Sequence, residues 1–150
     1  MLESIFMSWR YRETEFVETP KGIEGFVYLI INLTNDRKYI GKKSFWSRRK
    51  DKKTGRRKTK ESNWKKYYGS CPELKDDVKK YGKEFFSREI LSLHITKGTC
   101  NFEETKQLFL NNVLSESLDN GCPAYYNSNI LGRYMRKDYG NFRTNSMGNP

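Results

Sequence analysis

Two apolar stretches joined by turn residues constrain this chain's fold more than any other feature. Residues 26–32 (FVYLIIN) are β-branched and aromatic, residues 38–41 (KYIG) are a shorter run of the same kind, and residues 32–37 (NLTNDR) between them are rich in turn formers. The pattern predicts an antiparallel hairpin. Side chains alternate along a strand, so a two- or four-residue loop sets even-numbered residues opposite odd-numbered ones. Tyr28, Ile30 and Asn32 then share a face with Tyr39 and Gly41. Val27, Leu29, Ile31 and Ile40 form the other face, which is apolar and suited to packing on helices.

The remaining elements are read outward from that hairpin. Residues 1–24 form a polar extension, with a loosely alternating run at 9–16 that is an optional edge strand. Residues 44–51 (SFWSRRKD) read as a helix capped by Ser44, and residues 50–60 (KDKKTGRRKTK) as a solvated, partly disordered loop in the free protein. Ser70, Cys71, Pro72 and Glu73 match a capping box for a helix that runs to Tyr81 and stops at Gly82. Residues 85–95 read as a third strand and 96–101 as a loop. Leu108, Phe109, Val113 and Leu114 have helical spacing within a helix over 103–118. Asn120, Gly121, Cys122 and Pro123 read as a turn, and the residues from 141 onward as a flexible end. The expected fold is α+β in the order β-β-α-α-β-α, with a small three-stranded antiparallel sheet. The expected organisation is an extension at 1–24, a domain at 25–130 carrying a basic insertion at 50–66, and a tail at 131–150.

Charge is the second constraint. The 150-residue chain carries a net charge of +11, and the excess sits in one place: residues 37–66 hold fifteen lysines and arginines against two acids, Asp51 and Glu61. A single basic patch on an otherwise balanced domain is the footprint of a polyanion binder. The patch lacks the apolar face of a membrane-surface helix, and Trp46, Trp64, Tyr67 and Tyr68 are interleaved with it, either as stacking groups or as core. No run of about 18 apolar residues predicts a membrane helix. No basic n-region precedes an apolar stretch at the N-terminus, so no secretory signal is expected. Three widely spaced cysteines (71, 100 and 122) argue against a disulfide framework and fit a reducing cytoplasm, and one histidine, His94, excludes sites needing two imidazoles. His94 itself reads as a packing or hydrogen-bonded strand residue.

Phe26-Val27-Tyr28, then Tyr39-Ile40-Gly41, then a basic segment with Arg49 ten residues after Tyr39, resembles the GIY-YIG nuclease family. The first motif is degenerate, with FVY for GIY, and the second is intact. Glu104 in a helix and Tyr126-Asn127 downstream resemble the family's later motifs. The resemblance covers about residues 25–130 and is strongest to phage-encoded Seg-type homing endonucleases, through YIGKKSFWSRRK and ESNWKKYYGS. It implies a metal-dependent DNA endonuclease acting on double-stranded DNA in the host bacterial cytoplasm, with a dimer as one route to cutting both strands. It further implies Tyr28 as general base on water, Tyr39 as the group holding water or phosphate in line, Arg49 as clamp on the scissile phosphate, Glu104 as ligand to one Mg²⁺ or Mn²⁺, and Asn127 as a brace.

Phosphodiester hydrolysis needs an activated water and neutralisation of transition-state charge. A phenol with pKa of about 10 serves as base only if that value is brought down, which nearby positive charge does. Lys42, Lys43, Arg48 and Arg49 supply such charge. Contacts to DNA are expected from Lys42, Lys43, Arg48, Lys52, Lys53, Arg56, Arg57, Lys58, Lys60, Lys65, Lys66 and Arg133. Three assignments stay open at this level. Arg48 competes with Arg49, Glu103 competes with Glu104, and Glu104, three residues after Asn101, also fits a capping box. Asn127 also reads as a turn residue. A non-catalytic nucleic-acid binder on the same scaffold is the alternative function. A protein-binding regulator is the third, and the single-patch charge argues against it. No second DNA-binding module is recognisable after residue 130.

Overall fold

The computed structural model describes residues 7–140. Strands β3 (Gly25–Asn32) and β4 (Lys38–Ser44) form the expected hairpin. Asn32 closes its four-residue loop, its amide donating to Arg37 O at 2.8 Å and its Oδ1 accepting from the Thr34 amide at 3.0 Å. The register sets Tyr28 opposite Gly41, Leu29 opposite Ile40 and Ile30 opposite Tyr39, the predicted parity.

The sheet is larger than expected. β1 (Trp9–Tyr11) and β2 (Thr14–Phe16) join β7 (Phe86–His94) and the hairpin in one five-stranded sheet of order β2-β1-β7-β3-β4. It is mixed, since β1 runs parallel to β7. Three-residue strands leave too short a period to read from sequence. What fixes β1 is Trp9, which is fully buried and donates from Nε1 to Trp64 O at 2.7 Å. A bulge in the β3–β7 pairing falls between Val27 and Tyr28, where it re-aims side chains next to the phenol.

Helix α1 (Pro72–Tyr81) packs on one face of the sheet and α2 (Lys97–Leu110) on the other. The first core gathers Phe26, Tyr28, Ile30, Phe45, Trp64, Leu74, Val78 and Tyr126. The second gathers Val27, Ile40, Cys100, Leu108, Val113, Leu114 and Tyr125. Both faces of the hairpin are therefore covered, the phenol face included.

Several expected elements are corrected. Residues 44–51 are not a helix: Ser44 Oγ lies 2.9 Å from Glu24 Oε2 and accepts from the Trp46 amide at 3.2 Å, so the serine closes a bend instead of a cap. The chain continues as β5 (Trp46–Lys50), which pairs with β6 (Arg57–Glu61) in a separate two-stranded ribbon. The basic stretch read as a disordered loop is thus half strand. Its 51–56 turn is closed by Asp51, whose amide donates to Arg56 O at 2.7 Å and whose Oδ1 accepts from the Lys53 amide. Cys71, not Ser70, is the N-cap of α1, and no side chain bonds there, so the capping box does not form. Helix α2 begins at Lys97, through the residues read as a loop, because Thr96 Oγ1 caps the Thr99 amide at 3.2 Å and Cys100 is buried in the second core. It ends at Leu110, where Asn112 takes a left-handed φ of 51°. Val113 and Leu114 are core as expected, from a loop.

After α2 the chain adds a short ribbon of β8 (Asn129–Ile130) and β9 (Tyr134–Met135), then a single turn of helix α3 (Arg136–Tyr139). The end expected to be flexible, from residue 141, lies outside the described residues. Among the described residues no helix is long and apolar enough to cross a membrane.

Candidate active site

Strand β4 is one edge of the five-stranded sheet. Its alternation sends Tyr39, Gly41 and Lys43 to the α1 face and Ile40 and Lys42 to the α2 face. A polar cleft of about 420 Å³ wraps this edge and takes side chains from both faces. Tyr39, Ser70 and Cys71 enter it from one side, Lys42 and Glu104 from the other, and Tyr126 and Asn127 close its floor. The edge position lets a residue on each face of one sheet meet in one site.

Tyr39 Oη sits 3.3 Å from Ser70 Oγ, and its ring packs against Gly69. Gly69 has φ of +90°, and a Cβ there would lie 3.3 Å from the Tyr39 ring, so glycine serves both the turn and the contact. Tyr28 is different. It is 1% exposed, with its ring 6.2 Å from that of Tyr39 and 6.0 Å from that of Tyr67. Its hydroxyl lies over Gly41, where an added Cβ would meet it at 2.5 Å. The glycine of the YIG motif is thus the space the Tyr28 phenol occupies. Burial raises the Tyr28 pKa well above the ordinary value, and the Tyr67 phenol, bonded to it, and Glu104 push the same way. Tyr39 is also raised, chiefly by burial, against the opposing hydrogen bond to Ser70. The lowering expected from nearby positive charge is absent in the free protein, where burial dominates both phenols.

Glu104 lies in the second turn of α2, with its side chain 19% exposed. The capping alternative fails because the helix starts seven residues earlier. Burial raises its pKa against the pull of Lys42, whose Nζ is 3.9 Å from Oε1. Glu103 instead accepts from Gln107 Nε2 at 2.8 Å and does not line the cleft. Asn127 is buried and clips the edge strand twice: Oδ1 accepts from the Ile40 amide at 3.1 Å and Nδ2 donates to Ile40 O at 2.8 Å. It satisfies both backbone groups that an edge residue leaves open. Arg136, in turn, donates to Tyr125 O and Asn127 O, holding that segment.

The two arginines separate. Arg48 forks onto Glu24, Nη2 to Oε1 at 2.9 Å and Nη1 to Oε2 at 3.0 Å. Arg49 is exposed on the other side of β5, beyond the end of β4, and is not among the residues lining the cleft. Its ten-residue spacing from Tyr39 does not bring it to the phenols, because the intervening chain is extended rather than helical. The cation that lines the cleft is Lys42. Lys43 Nζ sits 4.2 Å from the Tyr67 ring centroid, and partial burial lowers its pKa.

Two contributors were not among the expected site residues. Tyr67 faces Tyr28 from the segment that follows the 3₁₀ turn Trp64–Lys66. Arg88, 3% exposed on β7, holds that segment by donating from Nη1 to Lys65 O and Tyr67 O, while stacking on Trp9 and Tyr68. An arginine in the alternating pattern of β7 at a core position was the available signal. Of the other cations expected to touch DNA, Lys52, Lys53, Arg56, Arg57, Lys58 and Lys60 lie on the ribbon and its turn. Lys65 pairs with Glu61 at 3.6 Å, and Lys66 and Arg133 are exposed.

Among the described residues no three His, Cys, Asp or Glu side chains cluster. A Mg²⁺ site is still chemically compatible: the ion takes oxygen ligands, keeps several waters and commonly uses one or two carboxylates. Glu104 offers one carboxylate, incompletely neutralised by Lys42, on a polar cleft with room for the waters.

Compared with known proteins, residues 9–130 match a family model described as "Putative endonuclease segE, GIY-YIG domain". No curated protein and no solved structure matches the chain.

Proposed function

We propose that this chain, which belongs to the SegE-like GIY-YIG nuclease family, is a DNA endonuclease that hydrolyses a phosphodiester in the cleft along β4. The observation that carries the reading is the convergence of the Tyr39 phenol, the Glu104 carboxylate and the Lys42 ammonium on one polar cleft from opposite faces of the sheet. Tyr39, hydrogen-bonded to Ser70, holds the attacking water in line with the phosphate. Tyr28, sealed behind Gly41, orients Tyr67 and Tyr39 as a positioning residue, in place of the general-base role the family resemblance implies. Lys42 and Lys43 neutralise charge developing on the phosphate. Asn127 fixes the backbone between Tyr39 and Gly41. Arg49 contacts the DNA from the ribbon. Glu104 would hold one Mg²⁺ or Mn²⁺, which would offset phosphate charge and cancel the carboxylate's upward push on both phenols.

The Seg-type resemblance supports a phage homing or host-DNA-cutting role in the bacterial cytoplasm. The burial of Tyr28 favours one second reading, a nucleic-acid binder without catalysis. Supercoiled plasmid incubated with and without Mg²⁺ separates the two. Nicked or linear product that needs the ion, and is lost in Tyr39→Phe, supports the nuclease. Salt-sensitive retardation without cutting under any divalent ion supports the binder.

A further inference from the structure

The β5–β6 ribbon has two unlike faces. Register pairs Trp46 with Glu61, Arg48 with Thr59 and Lys50 with Arg57 on one face, and Ser47 with Lys60 and Arg49 with Lys58 on the other. The first face is tied to the body at its base. Trp46 Nε1 donates to Ile23 O at 2.9 Å, Arg48 forks onto Glu24, and Thr19 Oγ1 donates to Glu61 Oε1 at 2.6 Å. Ser62 adds two bonds, from its amide to Phe45 O and from Oγ to Ser44 O. The ribbon's orientation is therefore set before any partner arrives.

The second face carries Arg49, Lys58 and Lys60 around Ser47, with no apolar side chain. Like charges directly opposite on paired strands are destabilising, yet Arg49 faces Lys58. Of the three cations only Lys58 has an ion pair among the described residues, to Asp51 at 3.3 Å, and its side chain remains 75% exposed. A face whose only charged side chains are cations, tied to the body from behind, suits an anionic surface. It lacks the aromatic or aliphatic anchor of a protein interface and the apolar face of a membrane helix.

We infer that the Ser47, Arg49, Lys58 and Lys60 face of this ribbon is the DNA-docking arm, and that it enters the major groove of B-form duplex. The inference rests on the nuclease reading above and adds to it where the duplex is gripped. Five extended residues span about 17 Å at a strand's rise. A two-stranded ribbon fits a major groove about 12 Å wide, whose floor presents guanine O6 and N7 to Arg and Lys. The deep, narrow major groove of A-form RNA admits no such ribbon.

The test measures affinity for a labelled duplex in the absence of divalent ions, with plasmid cutting by the wild type run in parallel. Lys58→Ala/Lys60→Ala empties the proposed face. Lys79→Ala/Lys80→Ala removes the same charge from the exposed last turn of α1, outside the ribbon. The first variant is expected to bind about tenfold more weakly or worse, with the slope of log K against log salt reduced by about two. The second is expected to stay close to wild type. Wild-type protein should also bind weakly to DNA whose thymines carry a bulky neutral C5 group, which fills the major groove, and to an RNA duplex of the same sequence; neither measurement depends on a variant folding. Equal losses from both variants, unimpaired binding to the C5-blocked duplex, or equal affinity for RNA would each overturn the groove assignment. If plasmid is cut in that case, the nuclease reading stands alone. A wild type that neither binds duplex nor cuts plasmid removes both.

Discussion

Gly41 shows what the site demands of one residue. The Tyr28 hydroxyl fills the space a β-carbon would take, at 2.5 Å, and Tyr39 closes the other side at 3.1 Å. Gly41→Ala must displace a buried phenol, and overpacking of that kind costs about 1–3 kcal/mol. Denaturant unfolding should show that loss, and the variant should also cut less, because Tyr39 moves with its neighbour. Unchanged stability would mean the phenol has another place to go. The phenols also predict an alkaline limit. Burial raises Tyr28 and Tyr39, and Tyr126, buried and donating to Asp77 Oδ2 at 2.6 Å, is pushed up to about 12. Below pH about 10, folded and unfolded chains both hold these protons and stability does not depend on them. Above it the unfolded chain releases protons that the fold retains, so stability falls as pH climbs from about 10 toward 12. Phenolate absorbance and loss of structure should rise together; full tyrosine ionisation by pH about 12 in a still-folded protein would contradict the burial.

At the scale of elements, the ribbon is the part least legible in the sequence. Ser44 before a polar, charged run fits a helix cap as well as a bend, and what decides is Glu24, twenty residues away, meeting both Ser44 and Arg48. Long-range pairing of that kind leaves no local period. The central hairpin was readable because its parity follows from loop length alone, and β7 because its alternation is nine residues long. Helix α2 was misplaced at both ends, since Gly98 and Thr99 favour a loop until Thr96 caps them and Cys100 is buried. Of the candidate site, Tyr39, Glu104 and Asn127 come together as their motifs suggest. Arg49 does not line that cleft, because the segment that carries it, read as a helix, is the strand β5. Tyr67 was marked only as a stacking or core group beside the basic patch, and Arg88 had no motif to mark it. If Glu24 fastens the ribbon, Glu24→Ala should speed amide exchange across β5 and β6 while β3 and β7 keep their protection. Exchange that rises equally in the central sheet would assign Glu24 to the core fold instead.

The whole molecule is a nuclease scaffold whose site lies on an edge, with a cationic ribbon rising from the end of the same strand. One continuous stretch, β4 into β5, thus joins the candidate site to the cationic ribbon. Under the proposed function that continuity explains why the charge excess follows directly on the YIG motif: the groups proposed to hold DNA and those proposed to face the scissile bond are set by the same backbone. The account depends on Glu104 acting in catalysis rather than as a buried partner for Lys42. Glu104→Gln preserves shape and the polar cleft, and should relieve the carboxylate's burial cost without loosening the fold. The decisive measurement compares this variant with wild type for duplex affinity and for Mg²⁺-dependent plasmid cutting under the same conditions. Wild-type affinity with cutting abolished is the predicted result, and cutting at the wild-type rate would contradict it.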